Sequence, residues 1–489
     1  MDIDLYFTDY FKVDPGTIDS YGAFNVSLIA DLPLFIDPFL LFNSKKPEYQ
    51  ALHDDIINYL RFLRDKSADR DLDKGLIRAW YRFPEVKQNW LGFTTTGNRG
   101  SGLGTDFANA LHTNLHRLFR NFGDEQITKG SHLEKLCLIR DRVGRDNISD
   151  FTSNLIRTYL AEYTQAFAKK HINKRRRKTV FVKKARFNYH TEVWEAVRYD
   201  LPFFNGDYVL LTPRDMLTKD ETWINKTDLL KEFEDVPDAI PNEQLRSQIN
   251  NYFMKRLPKD DEPTSKERTE AALRTIQKYP ELIDYYIRYK ENNGKKAASI
   301  SSKKVELSDR LYVKQFAELV RGLARDTDFY SLSGNTYEEA KRRVLFLKDE
   351  IESRGGYKIF YIKGRPIERE ADLQILYKLT WYGTPSDISR EVNDGRGPVD
   401  FKASRGASDK TLVEMKLASN SKLKQNLQKQ LEIYKKASAA QHGLKVIIYF
   451  TKAELFRVTA IRKELKLDND RDIILIDARK DNKPSGSRA

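Results

Sequence analysis

The chain has 489 residues, room for about three domains of average size, and its 85 Lys+Arg against 71 Asp+Glu give a net charge of +14. Hydrophobic residues at 40% and aromatics at 12% supply ample core material, which excludes a wholly disordered chain. The single cysteine, Cys137, excludes an intramolecular disulfide scaffold and fits a reducing, cytoplasmic setting.

In chain order, the N-terminus MDIDLYFTDY is acidic, unlike a targeting peptide. Residues 28–42 are apolar but broken by Asp31, Asp37 and two prolines, so no membrane span is expected. Helical spacing of apolar residues predicts helices over 54–63 and 107–119. Between them the glycine-rich residues 97–111 lead towards a helix with Thr105 as a possible N-cap. Loop amides and a helix N-terminus there suit an anion such as a phosphate or nucleotide, but no Lys-Ser/Thr pair follows the last glycine, so this is not a P-loop and a flexible loop before a core helix is the favoured reading. His132, Glu134 and Cys137 are too few and too spread for a zinc site, and Cys137 among Leu136, Leu138 and Ile139 reads as core. Asp146 and Asp150 read as turn and capping residues, with Ser149 or Asp150 ahead of a helix.

Residues 169–186 hold ten Lys or Arg and no acid. Such a run suits either a solvated face or a phosphate backbone, with Lys174, Arg175, Arg176, Arg177 and Lys178 as the candidate contacts. Short β-like runs near 179–182 and 208–212 precede proline-punctuated, charged segments. A helical pattern over 266–290 is interrupted at Pro280. Residues 292–304, NNGKKAASISSKK, are small and polar and are expected to form a linker.

The last third shows helical patterns over 308–325 and 337–354, ended by Gly355-Gly356, then a β-like run YKIFYI and a helix READLQILYKLTWYG. Strands DISREVN, PVDFKAS and TLVEMKLA follow, then a helix over 423–440, a strand KVIIYF, a further helix and a final strand DIILIDA. Strands without strict alternation are what a sheet covered on both faces needs. The fold class expected is a mainly helical α+β N-terminal region (residues 1–291, with a break near 170–260), the linker 292–304, a C-terminal α/β domain over 305–480 with an αβββαβ core and mixed sheet, and a disordered tail over 481–489.

Four ionisable residues stand out in that domain. Side chains two apart on a strand share a face, so Glu414 and Lys416 point together and Met415 turns away. If the two strands pair as a hairpin, Asp400 comes alongside. Two convergent carboxylates offer hard oxygen ligands for Mg²⁺ or Mn²⁺, and a lysine beside them can orient water or neutralise charge on a phosphoryl oxygen. Glu370 lies on the helix entering this core, one turn before Gln374, and Gln430 and Tyr434 share one face of a later helix.

At Pro398-Val399-Asp400, Glu414-Met415-Lys416 and the run Gln430-Leu431-Glu432-Ile433-Tyr434 the chain resembles the PD-(D/E)XK nuclease superfamily, with a QxxxY run similar to that of its RecB-like branch. The resemblance covers residues 357–478. The chain departs from the pattern in having Val399 between the proline and the aspartate, and Glu368 and Asp372 compete with Glu370 for the place of the upstream acid. The resemblance implies a restriction-endonuclease-like fold and metal-dependent phosphodiester hydrolysis. Asp400, Glu414, the Met415 carbonyl and Glu370 would hold the metal, Lys416 would orient the water, and Gln430 and Tyr434 would contact substrate or brace the site.

The function expected is therefore a Mg²⁺- or Mn²⁺-dependent nuclease, with an N-terminal region that recognises a trigger or substrate, in the manner of prokaryotic restriction or antiphage defence effectors. Its partner would be nucleic acid, DNA ahead of RNA, with no membrane association and homo-oligomerisation left open. Two rivals stand beside it: a housekeeping repair, recombination or RNA-processing nuclease, and a non-catalytic nucleic-acid-binding sensor on a nuclease fold.

Overall fold

Pro47 sits in the first turn of α1 (Pro47–Lys66), where its missing N–H leaves no bond unmade, and Arg64 and Lys66 close the last turn, where cations suit the helix dipole. The computed structural model describes the chain except residues 1–3, 30, 70, 93–107, 110, 114, 116–121, 140–142, 259–262, 327–333, 363, 382–386, 394–397, 406–408, 431–439, 441 and 484–489. It also leaves aside the side chains of 323–326, 371, 376, 378–379, 387–393, 398–399 and 429–430. The glycine-rich residues 97–107 thus lie outside what is described. Among the described residues no helix is long and apolar enough to cross a membrane.

Helices α2 (Arg145–Leu155) and α3 (Arg157–His171) pack beneath a long antiparallel ribbon of β1 (Arg177–Asn188) and β2 (Val193–Phe204). Tyr59 and Phe62 of α1 meet Phe187 and Trp194 of the ribbon at centroid distances of 4.9–5.2 Å, mixing edge-on and tilted contacts. α2 starts at Arg145, with Asp146 in its first turn, so Asp150 lies mid-helix rather than at the expected cap. The pattern over 266–290 does break at Pro280, between the helix Ser265–Lys278 and α4 (Leu282–Asn292).

The expected linker is a helix. α5 (Gly294–Ser308) runs through it and buries Ala297, Ser301, Val305 and Ser308, residues spaced to share one helical face. Small side chains here permit close packing instead of marking a flexible joint. A π-helical segment, Asp309–Gln315, joins α5 to α6 (Phe316–Asp326).

In the C-terminal part, α7 (Thr336–Ser353) is capped by Asn335, whose side chain accepts from the Glu338 amide; Gly355, with φ of +85°, turns the chain just beyond its end. Residues 357–362, expected as a strand, instead form a 3₁₀ turn (Gly356–Phe360) and a two-residue strand (Tyr361–Ile362). Then follow α8 (Glu370–Leu379), β3 (Asp387–Asn393), β4 (Pro398–Arg405), β5 (Asp409–Leu417), β6 (His442–Tyr449), α9 (Lys452–Glu464) and β7 (Ile473–Asp477). Their sheet has the order β7-β6-β5-β4-β3. The β3–β4 and β4–β5 pairs are antiparallel, and the β5–β6 and β6–β7 pairs parallel. Val446, Ile448, Ile474 and Ile476 turn into the main core with Val344, Leu347 and Ile351 of α7. Ile447, Tyr449 and Ile473 turn to the other face and pack with Val458 of α9. Both faces are covered, which is why these strands read as unbroken apolar runs. In the expected tail, Asn482 donates to Asp477 at 2.8 Å, so the chain is tied down to that point.

A buried charge cluster joins α7 to the sheet and to α8. Arg343, 1% exposed, makes a two-pronged contact with Glu339 at 2.8 and 3.1 Å and donates to the Thr380 carbonyl at 2.9 Å, while Arg405 of β4 shares the Glu339 carboxylate. Breaking such a pair from one side strands charge in the core. Glu339→Leu is expected to cost about 3–5 kcal/mol in urea unfolding; a loss below ~1 kcal/mol would show that the cluster is not what fastens α7 to the sheet.

Candidate active site

The β4–β5 hairpin pairs Val413 with Phe401 and so carries Glu414 opposite Asp400 at the next step. Val413, Met415 and Leu417 point into the main core, which leaves Glu414 and Lys416 on the opposite face. The Lys416 ammonium lies 3.4 Å from Glu370, 3.5 Å from Asp400 and 3.5 Å from Glu414. One cation thus gathers the three acids.

Each acid on the flanks of that cation is braced from a second direction. Asp400 accepts from the Met415 amide at 2.6 Å and from the Gln374 side chain at 2.7 Å. Glu370 accepts from the Leu417 amide at 3.2 Å and from the Asn420 side chain at 2.7 Å. Asn420 is a site residue that sequence reasoning missed. Its only signal was its place four residues after Lys416, in the turn leaving the strand. Gln374, used in sequence only to mark the helix face, braces Asp400 directly.

Burial sets the electrostatics. Asp400 and Glu414 are 6% and 3% exposed. Desolvation, only partly offset by Lys416, pushes Asp400 up to about 6 and Glu414 up to about 7. Burial works against the Lys416 ammonium, but the charges of Asp400, Glu414 and Glu370 outweigh it and hold the lysine above its ordinary range.

Of the three acids weighed for the upstream place, Glu370 is the one at Lys416. Asp372 turns away to Lys219 at 3.2 Å and to the Tyr312 hydroxyl, and Glu368 is exposed. The backbone at Gln430 is π-helical, its side chain is not described, and Tyr434 lies outside the described residues. The basic run is far less uniform than its sequence. Lys174, Arg175 and Lys178 are exposed, whereas Arg176 lies half-buried over the Tyr10 ring and Arg177 is paired with Asp200 at 2.7 Å. Cys137 is buried, and its thiol is pushed up by that burial; His132 is taken up by Glu291 at 2.9 Å, so neither reads as part of a reactive centre.

Among the described residues no group of three or more His, Cys, Asp or Glu stands ready as a metal cage. Mg²⁺, however, is usually held through one or two carboxylates with several waters. The buried Asp400–Glu414 pair, already arranged around a positive charge, and the Met415 carbonyl are a donor set of that chemistry.

Two comparisons with family models bear on the chain. Residues 12–225 match one described as a domain of unknown function (DUF8370), and residues 336–452 match another described as a domain of unknown function (DUF8371). The second match contains Glu370, Asp400, Glu414 and Lys416, and the first contains the basic ribbon. No curated protein and no solved structure matches the chain.

Asp400 and Glu414 have folded-state values above the ordinary 3.8 and 4.5. Their contribution to stability is therefore complete below about pH 4 and is lost as pH rises through about 6 and 7. Glu414→Gln, neutral at every pH, should thus gain melting temperature relative to the parent between pH 5 and pH 8 in metal-free buffer. A parent–variant difference that does not change with pH would contradict the burial account of Glu414.

Proposed function

We propose that the chain is a divalent-metal-dependent nuclease that hydrolyses phosphodiester bonds of DNA, with a restriction-endonuclease-like C-terminal domain. The observation that carries this reading is the convergence of Asp400, Glu414 and Glu370 on the Lys416 ammonium at one face of the β4–β5 hairpin. Buried charge of this density is costly as a structural device, and a packed apolar core would serve stability as well. It is explained by chemistry that needs acids and a cation together.

Asp400, Glu414 and the Met415 carbonyl would hold Mg²⁺ or Mn²⁺, with Glu370 completing the shell or binding a second ion. The bound ion would lower the pKa of an attacking water and neutralise charge on the phosphoryl oxygens. Lys416 would orient that water and, staying protonated, stabilise the charge that develops on the phosphorane-like transition state. Glu370 fixes the position of Lys416, Gln374 that of Asp400, and Asn420 that of Glu370. From the resemblance, Gln430 and Tyr434 are assigned to substrate contact.

The N-terminal region would supply recognition. On its ribbon and in the 3₁₀ turn just before it, Lys174, Arg175, Lys178 and Lys183 are exposed. Phe181, 58% exposed, lies under the Arg198 guanidinium at 4.4 Å. Basic groups interleaved with an open aromatic face suit a phosphate backbone and a stacked base. A sensor region joined to a nuclease is the layout of a restriction or antiphage effector, and that placement is by analogy of architecture.

Incubation with plasmid, linear and single-stranded DNA and with RNA, in Mg²⁺, Mn²⁺ or EDTA, tests the reading. Metal-dependent DNA cleavage is expected, reduced at least about 100-fold by Asp400→Ala and by Lys416→Ala. Undiminished cleavage by both variants would sink the site assignment. RNA cleavage alone would favour an RNA-processing role, and metal-independent binding without cleavage a sensor. Charge reversal at Lys174, Arg175 and Lys178 is expected to flatten the salt dependence of DNA binding by about 0.9 in log–log slope for each phosphate that is no longer neutralised. An unchanged slope would assign these residues to a solvated face.

A further inference from the structure

The helix that carries Glu370 is fastened at its two ends to different parts of the chain. At its C-terminal end, Tyr377 meets Phe401 of β4 at a ring distance of 4.9 Å, and just beyond it the Thr380 carbonyl accepts from Arg343 of α7. These contacts lie within the C-terminal domain. The other end is held by Lys219 and Asp220 of the N-terminal region and by Tyr312 of the π-helical segment ahead of α6. Arg369, one residue before Glu370, pairs with Asp220; Asp372, two residues after it, accepts from the Lys219 ammonium at 3.2 Å and from the Tyr312 hydroxyl. The two contacts bracket Glu370 in sequence.

Three features mark this contact as more than surface packing. Lys219 and Asp372 are 9% and 4% exposed, so the pair is desolvated, and removing one partner would leave the other charge buried. Asp220 holds a left-handed φ of 79°, unusual for a residue with a side chain, and this turn presents Lys219 and Asp220 in succession to the same helix end. Tyr312 lies in the π-helical segment Asp309–Gln315, a rare winding that concentrates at functional positions, and its own carbonyl accepts from the Tyr6 hydroxyl near the start of the chain. A continuous set of contacts thus runs from Tyr6 through Tyr312 to Asp372, two residues from the acid that meets Lys416.

We propose that Lys219, Asp220 and Tyr312 are positioning residues for Glu370, through which the N-terminal region sets the depth of Glu370 against Lys416 and hence the affinity of the site for a divalent cation. The inference rests on the metal-dependent reading above. Movement of the N-terminal region on its target would act through Asp372 and Arg369 on Glu370, the one acid supplied by a helix, and more weakly through Gln374 of that helix on Asp400.

The test is Mn²⁺ binding by the full chain, read from the electron paramagnetic resonance signal of free Mn²⁺, together with the melting temperature. The proteins compared are the parent, Tyr312→Phe, Lys219→Met, Glu370→Gln and the double variant Lys219→Met/Glu370→Gln. Tyr312→Phe removes one hydroxyl and keeps the ring, so it serves even if Lys219→Met fails to fold. Binding weaker by about 2- to 30-fold is expected in Tyr312→Phe and Lys219→Met, with no further loss when Lys219→Met is added to Glu370→Gln. A lowered melting temperature with unchanged Mn²⁺ binding would overturn the inference and reduce the clamp to domain packing. Mn²⁺ binding and cleavage by the parent together with unaffected clamp variants would defeat this inference alone. A parent that neither binds Mn²⁺ nor cleaves would defeat the nuclease reading and this inference with it.

Discussion

A half-buried ammonium among three carboxylates constrains everything around it. Lys416 stands 3.4–3.5 Å from Glu370, Asp400 and Glu414, and the buried Asp400 and Glu414 would be costly to ionise without that cation beside them. The arrangement demands a strand that presents Glu414 and Lys416 on one face, a hairpin partner in the register that brings Asp400 opposite, and a helix entering at the height of Glu370. The imbalance is also informative. Three acids face one lysine, and burial raises Asp400 and Glu414 above the ordinary carboxylate range, so a second cation would favour their charged forms. A site poised in that way suits metal chemistry better than it suits simple stability.

Around this centre the C-terminal sheet acts as a rigid frame. α7 covers one face and α9 the other, and the Arg343–Glu339–Arg405 cluster ties α7 to β4 and to the end of α8. Asp400, Glu414 and Lys416 sit on strands of that frame, with Gln374 of α8 reaching Asp400. Glu370 does not. Its helix is held at one end by the frame and at the other by Lys219, Asp220 and Tyr312, so the upstream acid is the member of the cluster that the rest of the chain can reach. Lys219 and Asp220 lie in the segment matched by the first family model and Asp372 in that matched by the second. The contact therefore joins two units that are matched separately.

The strand acids were legible because a strand repeats every two residues: ExK places its two charges on one face wherever it pairs, and apolar runs such as KVIIYF announce a doubly covered sheet. The upstream acid was ambiguous because Glu368, Glu370 and Asp372 crowd the start of one helix, and only the packing of that helix separates them. Asn420 was invisible because a turn asparagine carries no periodic signal. Composition alone points to a linker at 292–304, although Ala297, Ser301 and Val305 already hold the four-residue spacing of a packed helical face. The basic run misleads in a milder way: density of charge in sequence does not reveal that Arg177 is spent on Asp200 and Arg176 on Tyr10. Lys219 and Tyr312 carry no sequence signal at all, since their partner is more than fifty residues away in each case.

The most direct measurement is diffraction from crystals soaked in Mn²⁺, with anomalous maps calculated near the manganese edge. The expected result is a single strong peak in contact with the carboxylates of Asp400 and Glu414 and the carbonyl of Met415, absent from crystals of Asp400→Asn. A map with no peak there at millimolar Mn²⁺, with Lys416 still seated among the three acids, would contradict a metal-dependent role for the cluster.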